Sequence, residues 1–178
     1  MLRRTFLHTG LLTAGVLTSN SLVRGEESPA VCPAQREDDL WIVSSRSFGC
    51  VDPSESNRAT WQVQRRDAHS AWQTTQLADL QAASQDGLHT VVYVHGNRND
   101  WNWAYKNGMT VYHALLRQAP TQPFRFIIYS WPSDQIRGPV RDGRFKLQVA
   151  NTETYRFGWC LSQLSAAAQY GLIGFSLG

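Results

Sequence analysis

Basic residues form no run in this chain. Seventeen Lys and Arg stand against 14 Asp and Glu, a net charge of +3, and they are spread along the sequence. A nucleic-acid backbone is held by a basic stripe, so that class of partner is set aside. Cysteine is scarce, at positions 32, 50 and 160. Neither these three nor the five histidines fall at the spacing of a structural zinc site, and no metal is expected. The chain also lacks a Gly-x-Gly-x-x-Gly turn and a lysine-bearing phosphate loop, which argues against a nucleotide-binding α/β domain, and no cofactor is expected. The apolar stretch Leu7 to Thr18 is loosened by His8, Gly10 and Gly15 and is too short to span a bilayer.

What remains, 178 residues that are 42% hydrophobic and 17% charged, fits one soluble globular domain. The N-terminus differs in kind. Arg3 and Arg4 precede the loosened apolar stretch, and Val23-Arg24-Gly25 ends in small residues suited to a peptidase, so residues 1–25 read as an export signal. Leu2-Arg3-Arg4-Thr5-Phe6-Leu7-His8 resembles a twin-arginine signal, which implies a bacterial host, folding before export and a periplasmic or extracellular location. Contact with a membrane is expected only through that signal. Export permits a disulfide, with Cys32 and Cys50 the candidate pair because both flank the same early segment. Cys160, beside Trp159 and Leu161, reads as a small buried hydrophobe.

Residues 26–39 are polar with Pro29 and Pro33 and read as a linker, so the domain is expected over 40–178. Leu40 to Ser44 is a strand candidate, followed by a turn-rich stretch through Asn57 and a weaker strand at Ala59 to Val63. Ala68 to Ala83 is polar with scattered apolar positions, a short helix or a loop. Thr90 to Val94 is a continuous β-branched and aromatic run, as in strands covered on both faces. Asp100 offers an N-cap to a helix whose apolar positions are Ala104, Gly108, Val111, Tyr112 and Leu115, closed by Pro120. Phe124 to Tyr129 is the next buried strand, followed by a loop rich in Gly and Arg. Ala150, Thr154, Phe157, Leu161, Leu164 and Ala168 then place one stripe on a long helix stopped by Gly171, before a third buried strand, Leu172 to Phe175.

Strand, helix, strand, helix, strand is the pattern of a mostly parallel sheet with crossover helices, an α/β fold. Function in such sheets gathers at the carboxyl ends of the strands. Three motifs fall there: His95-Gly96-Asn97, Trp131-Pro132-Ser133 and Gly174-Phe175-Ser176-Leu177-Gly178. The last fits a sharp turn that lifts a serine hydroxyl above a sheet, with glycines two before and two after it to let chain pass chain. Leu177 would open the next helix, aiming its backbone N–H at a developing oxyanion.

With these motifs in this order, Leu40 to Gly178 resembles the first part of an α/β-hydrolase, among the lipase-like and related bacterial hydrolases of unassigned substrate. The resemblance implies hydrolysis of a small-molecule or lipid-like ester or amide. Ser176 is then the nucleophile, Leu177 supplies one oxyanion donor, and the Gly96-Asn97 turn supplies the other. It also implies an acid and a histidine later in the chain than the serine. All five histidines precede Ser176. The given chain is therefore expected to be an incomplete, inactive copy, with a non-catalytic binding protein on the same fold as the alternative. His95 reads as structural, its ring bonded to loop backbone, and Asp134 as a loop residue. Trp101 and Trp131 read as packing residues. His89 and His95 stand six apart on a strand and so face the same side, but no nearby Asp, Glu or Cys completes a metal set. Oligomeric state has no signature here.

Overall fold

The computed structural model describes residues 37–48, 60–135, 138–166 and 169–175, and it leaves the side chains of 139, 140, 143 and 144 undescribed. The expected signal peptide, Cys32, Cys50, Ser176 and Leu177 all lie outside the described residues. The fold belongs to the unit Gln35–Gly178.

Among the described residues, six strands and three α-helices form an α/β arrangement. The order is β1 (Asp39–Ser44), β2 (Gln62–Arg66), β3 (Trp72–Thr75), α1 (Leu77–Ala83), β4 (Thr90–Val94), α2 (Trp101–Gln118), β5 (Arg125–Ser130), α3 (Pro139–Ser162) and β6 (Tyr170–Gly174). The sheet runs β3-β2-β1-β5-β4-β6, with β1, β5, β4 and β6 parallel and the β2–β3 hairpin antiparallel at one side.

β1 and β5 are buried at every residue, as central strands covered on both faces should be. Alternate side chains feed two cores. Trp41, Val43, Ile127 and Tyr129 meet Val149 and Cys160 of α3 on one face, while Leu40, Ile42, Phe126 and Ile128 meet Met109 and Tyr112 of α2 on the other. The outcome is a sheet between helical layers. Cys160 is buried as expected, and burial pushes its thiol up to about 12.

Several boundaries differ from the expectation, each for a physical reason. β1 starts at Asp39, and Asp38 accepts hydrogen bonds from Tyr112 Oη at 2.8 Å and the Phe124 N–H at 3.1 Å, so the last linker residues already belong to the domain. The weak strand near Ala59 lies three residues further on, as β2. Its partner β3 falls within the stretch expected to be helix or loop. The hairpin turn between them has no Gly, Pro or Asn. Instead Asp67 Oδ1 accepts the N–H groups of His69 and Ala71, and Ser70 takes the positive φ of 67°.

α3 begins at Pro139, inside the expected loop, with proline in the first turn where its missing N–H costs nothing. It ends at Ser162, well before Gly171. Its buried stripe is Asp142, Lys146, Val149, Glu153, Arg156 and Cys160; of the expected stripe, Ala150 and Thr154 are exposed, Phe157 and Leu161 are partly buried against the core, Leu164 just past the helix is buried, and Ala168 lies outside the described residues. The two stripes differ by about one residue, or 100° around the helix. β6, an apolar run read as a buried strand but expected to be left at an edge in the chain as given, is an edge strand paired with β4 among the described residues, and Leu172 is 59% exposed.

Asp100 caps α2 as expected, accepting the Trp103 N–H at 2.8 Å. At Gly108 the helix comes so close to the sheet that an added Cβ would lie 2.6 Å from Ile128 Cδ1 and 2.7 Å from Cγ1. Ile128 is 1% exposed and has no space to yield. Overpacking costs typically about 1–3 kcal/mol, whereas Gly to Ala in a helix gains at most about 1 kcal/mol. Gly108→Ala should therefore lower the urea midpoint, and the loss should be smaller when it is made in an Ile128→Ala background, which removes both obstructing carbons.

Candidate functional site

The parallel strands deliver their carboxyl ends to one rim. Val94 lies opposite Tyr129 on one side and Gly174 on the other. The chain segments leaving β4, β5 and β6 are therefore neighbours there.

The first of these carries His95, which is fully buried. Its Nε2 accepts the Trp131 backbone N–H at 3.1 Å, and the Trp131 indole returns a bond of 2.8 Å to the His95 carbonyl. The two rings stack at 5.7 Å with only 6° between their planes. Because Nε2 is an acceptor, the ring proton sits on Nδ1, which donates to the Gly96 carbonyl at 2.9 Å. Burial, with help from the nearby Arg46 charge, lowers the imidazole from 6.5 to about 4. His95 is thus a neutral structural ring, and Trp131, 4% exposed, is a packing residue, as both were read.

The same contacts orient the next peptide. The Gly96 carbonyl also accepts Asn99 Nδ2 at 3.1 Å and lies 3.2 Å from the Ser133 hydroxyl. In a trans peptide the following N–H points the opposite way. The Asn97 N–H is therefore directed away from the His95 ring and Ser133. Asn97 Oδ1 accepts the N–H of Arg98, which holds a left-handed φ of 59°.

Arg46, just past β1, ties these exits together. Its Nε donates to Ser130 Oγ at 2.8 Å, Nη1 to Asp134 at 2.5 Å and Nη2 to the Asn99 carbonyl at 2.8 Å. Burial lowers its pKa, opposed chiefly by Asp134. Asp134 has the loop role expected of it, and its carbonyl also accepts the buried Lys146 ammonium.

Beneath β5 lies a polar seam. Glu153, 5% exposed, accepts Ser45 Oγ at 2.5 Å, Tyr129 Oη at 3.0 Å and Arg156 Nη1 at 2.6 Å. Burial and the Glu153 charge raise the Tyr129 phenol well above its ordinary range. Glu153 also borders a cavity of about 350 Å³ whose walls include Val94, Trp131, Phe157 and Ile173, and it is the one charged residue of that lining. None of Arg46, Ser45, Glu153 and Arg156 stood out in the sequence. Only the i, i+3 spacing of Glu153 and Arg156 carried a signal, and the neighbouring apolar stripe outweighed it.

His89 and His95 stand at opposite ends of β4, about 20 Å apart at strand rise, and cannot share an ion. Among the described residues no group of three or more His, Cys, Asp or Glu could hold a metal.

Since the folded-state pKa of His95 lies below the unfolded value, its contribution to stability is fully present above pH 6.5 and is lost as pH falls toward 4. The interval corresponds to about 3 kcal/mol at 1.36 kcal/mol per pH unit. Urea unfolding of the wild type should weaken by that order relative to His95→Gln over this window, and the His95 Cε1 proton should keep its neutral shift down to about pH 4.

No family model, no curated protein and no solved structure matches the chain, so the chemistry of this rim rests on its own geometry.

Proposed function

We propose that the chain carries the nucleophile of an exported serine hydrolase of α/β-hydrolase type, acting on an ester or amide. The observation that carries this reading is the bond from the Phe175 N–H to the Val94 carbonyl at 3.2 Å. It continues the β4–β6 register past Gly174 and holds the residue before Ser176 alongside the strand that leads into the Gly96-Asn97 turn. The outward Asn97 N–H supports a role for that turn as one oxyanion donor, with the Leu177 N–H as the other.

In this mechanism Ser176 Oγ attacks the substrate carbonyl while a base takes its proton, and the two N–H groups stabilise the tetrahedral oxyanion. Collapse expels the alcohol or amine, which takes the proton back, and water then releases the acyl group from the serine. His95 cannot be that base, because one ring nitrogen accepts from Trp131 and the other already donates to Gly96. A different histidine with its acid must serve.

A fluorophosphonate probe tests the assignment on the protein as its host makes it. The expected result is an adduct on Ser176 found by peptide mass spectrometry, absent from Ser176→Ala, together with a fall in ester turnover by several orders of magnitude. Equal labelling of the Ala variant would refute the nucleophile, and no labelling of the wild type would favour a binding protein on this fold.

A further inference from the structure

The second observation of interest lies at the other side of the sheet and does not depend on the hydrolase reading. A cavity of about 590 Å³ opens where β2 begins and β3 ends. The pairing of Ile42 with Gln64, and of Gln64 with Thr74, puts all three on the sheet face that α2 covers further along. Strand alternation adds Gln62 and Gln76 to that face. The corner is therefore a block of three amides and a hydroxyl, with Trp101 at the start of α2 as an aromatic wall. Trp61 borders the cavity from the opposite sheet face, where it stacks on Trp159 of α3 at 5.7 Å with 7° between planes.

Three features narrow the occupant. None of the ten lining residues is charged, so a carboxylate, phosphate or ammonium buried there would lose its hydration without a counter-charge. The side chains of Gln62 and Gln64 make no hydrogen bond to another described residue. An aliphatic ligand would desolvate these amides with nothing in return. Third, the backbone of β2 already pairs on both sides, so what Gln62 and Gln64 offer a ligand is their side chains; peptide addition to the edge strand β3 is tested by the hexapeptide below. Carboxamides and hydroxyls each donate and accept, which matches a ligand whose hydroxyls do the same. The Trp101 indole suits its C–H faces.

We propose that this corner binds a neutral oligosaccharide through Gln62, Gln64 and Thr74, with Trp101 packing against a sugar ring. Calorimetric titration of the full chain with cellohexaose, xylohexaose, maltohexaose and hexa-N-acetylchitohexaose is the test. An uncharged Ser/Thr-rich hexapeptide and an oligogalacturonate serve as comparators. Saturable binding of at least one neutral hexaose is expected, weakened about tenfold or more in Gln62→Ala/Gln64→Ala as two hydrogen bonds are lost. Trp101→Ala should weaken it as well. Trp101 also packs against the α2-side core, so the double glutamine variant decides if that protein fails to fold. Silence from all four neutral hexaoses, tighter binding of either comparator, or unchanged affinity in the double glutamine variant would overturn the proposal.

Discussion

The reciprocal bond between His95 and Trp131 is the constraint on which the rim depends. Two parallel strands have no covalent reason to release their chains in a fixed relation, since β4 and β5 are joined through the whole of α2. Here each exit residue closes one hydrogen bond on the backbone of the other, and their rings stack. The neutral tautomer then fixes the Gly96 carbonyl, and planarity of that peptide fixes the following N–H. A histidine serves where a phenylalanine could not, because the ring must accept from one side and donate on the other. Complete burial keeps it in that state at neutral pH.

Around this lock the molecule places charge in the interior at both ends of the strands. At the carboxyl ends Arg46 reaches Ser130, Asp134 and Asn99, and Glu153 gathers Ser45, Tyr129 and Arg156. At the amino ends fully buried Arg125 donates to Asp39 and Asp86 at 2.6 Å each and to the Ala83 carbonyl at 2.8 Å. Buried ion pairs gain little net stability against apolar packing of the same volume, but breaking one is expensive. Their use here is positional. Each links elements distant in sequence through bonds of defined direction, which an apolar contact does not supply. Arg125 joins the starts of β1 and β5 to the turn after α1, and Glu153 joins α3 to the ends of β1 and β5.

This placement of charge explains what could and could not be read from sequence. β4, β5 and α2 stood out because their apolar period matches their burial, and Asp100 was legible as a cap because capping is a local interaction. α3 misled for the opposite reason. Its stripe against the sheet contains Asp142, Lys146, Glu153 and Arg156, residues that a hydrophobic pattern assigns to solvent, while Ala150 and Thr154 on the adjacent stripe looked like core. The β2–β3 hairpin hid because Ser70 takes a backbone conformation usually left to Gly or Asn. The site was half legible: His95 and the Gly96-Asn97 turn followed from their position after a buried strand. Arg46 is fixed by Ser130, 84 residues away, and Glu153 by Ser45, 108 residues away, and no local pattern encodes those two contacts.

Under the proposed hydrolase reading, the described residues also restrict where the proton acceptor for Ser176 could come from. Four histidines lie among the described residues. His69 sits in the β2–β3 turn and His89 just before β4, both at the amino-end rim, since the hairpin turn lies beyond the Trp41–Arg65 pair, away from Ser44 and Gln62. His113 lies on the exposed side of α2. Only His95 reaches the carboxyl rim, and it is occupied at both nitrogens and neutral to about pH 4. To recruit it as a base would break the Trp131 bond and so dissolve the loop geometry that orients Asn97. On the proposed reading the group that anchors the Gly96-Asn97 turn and the group that moves the proton have to be different residues.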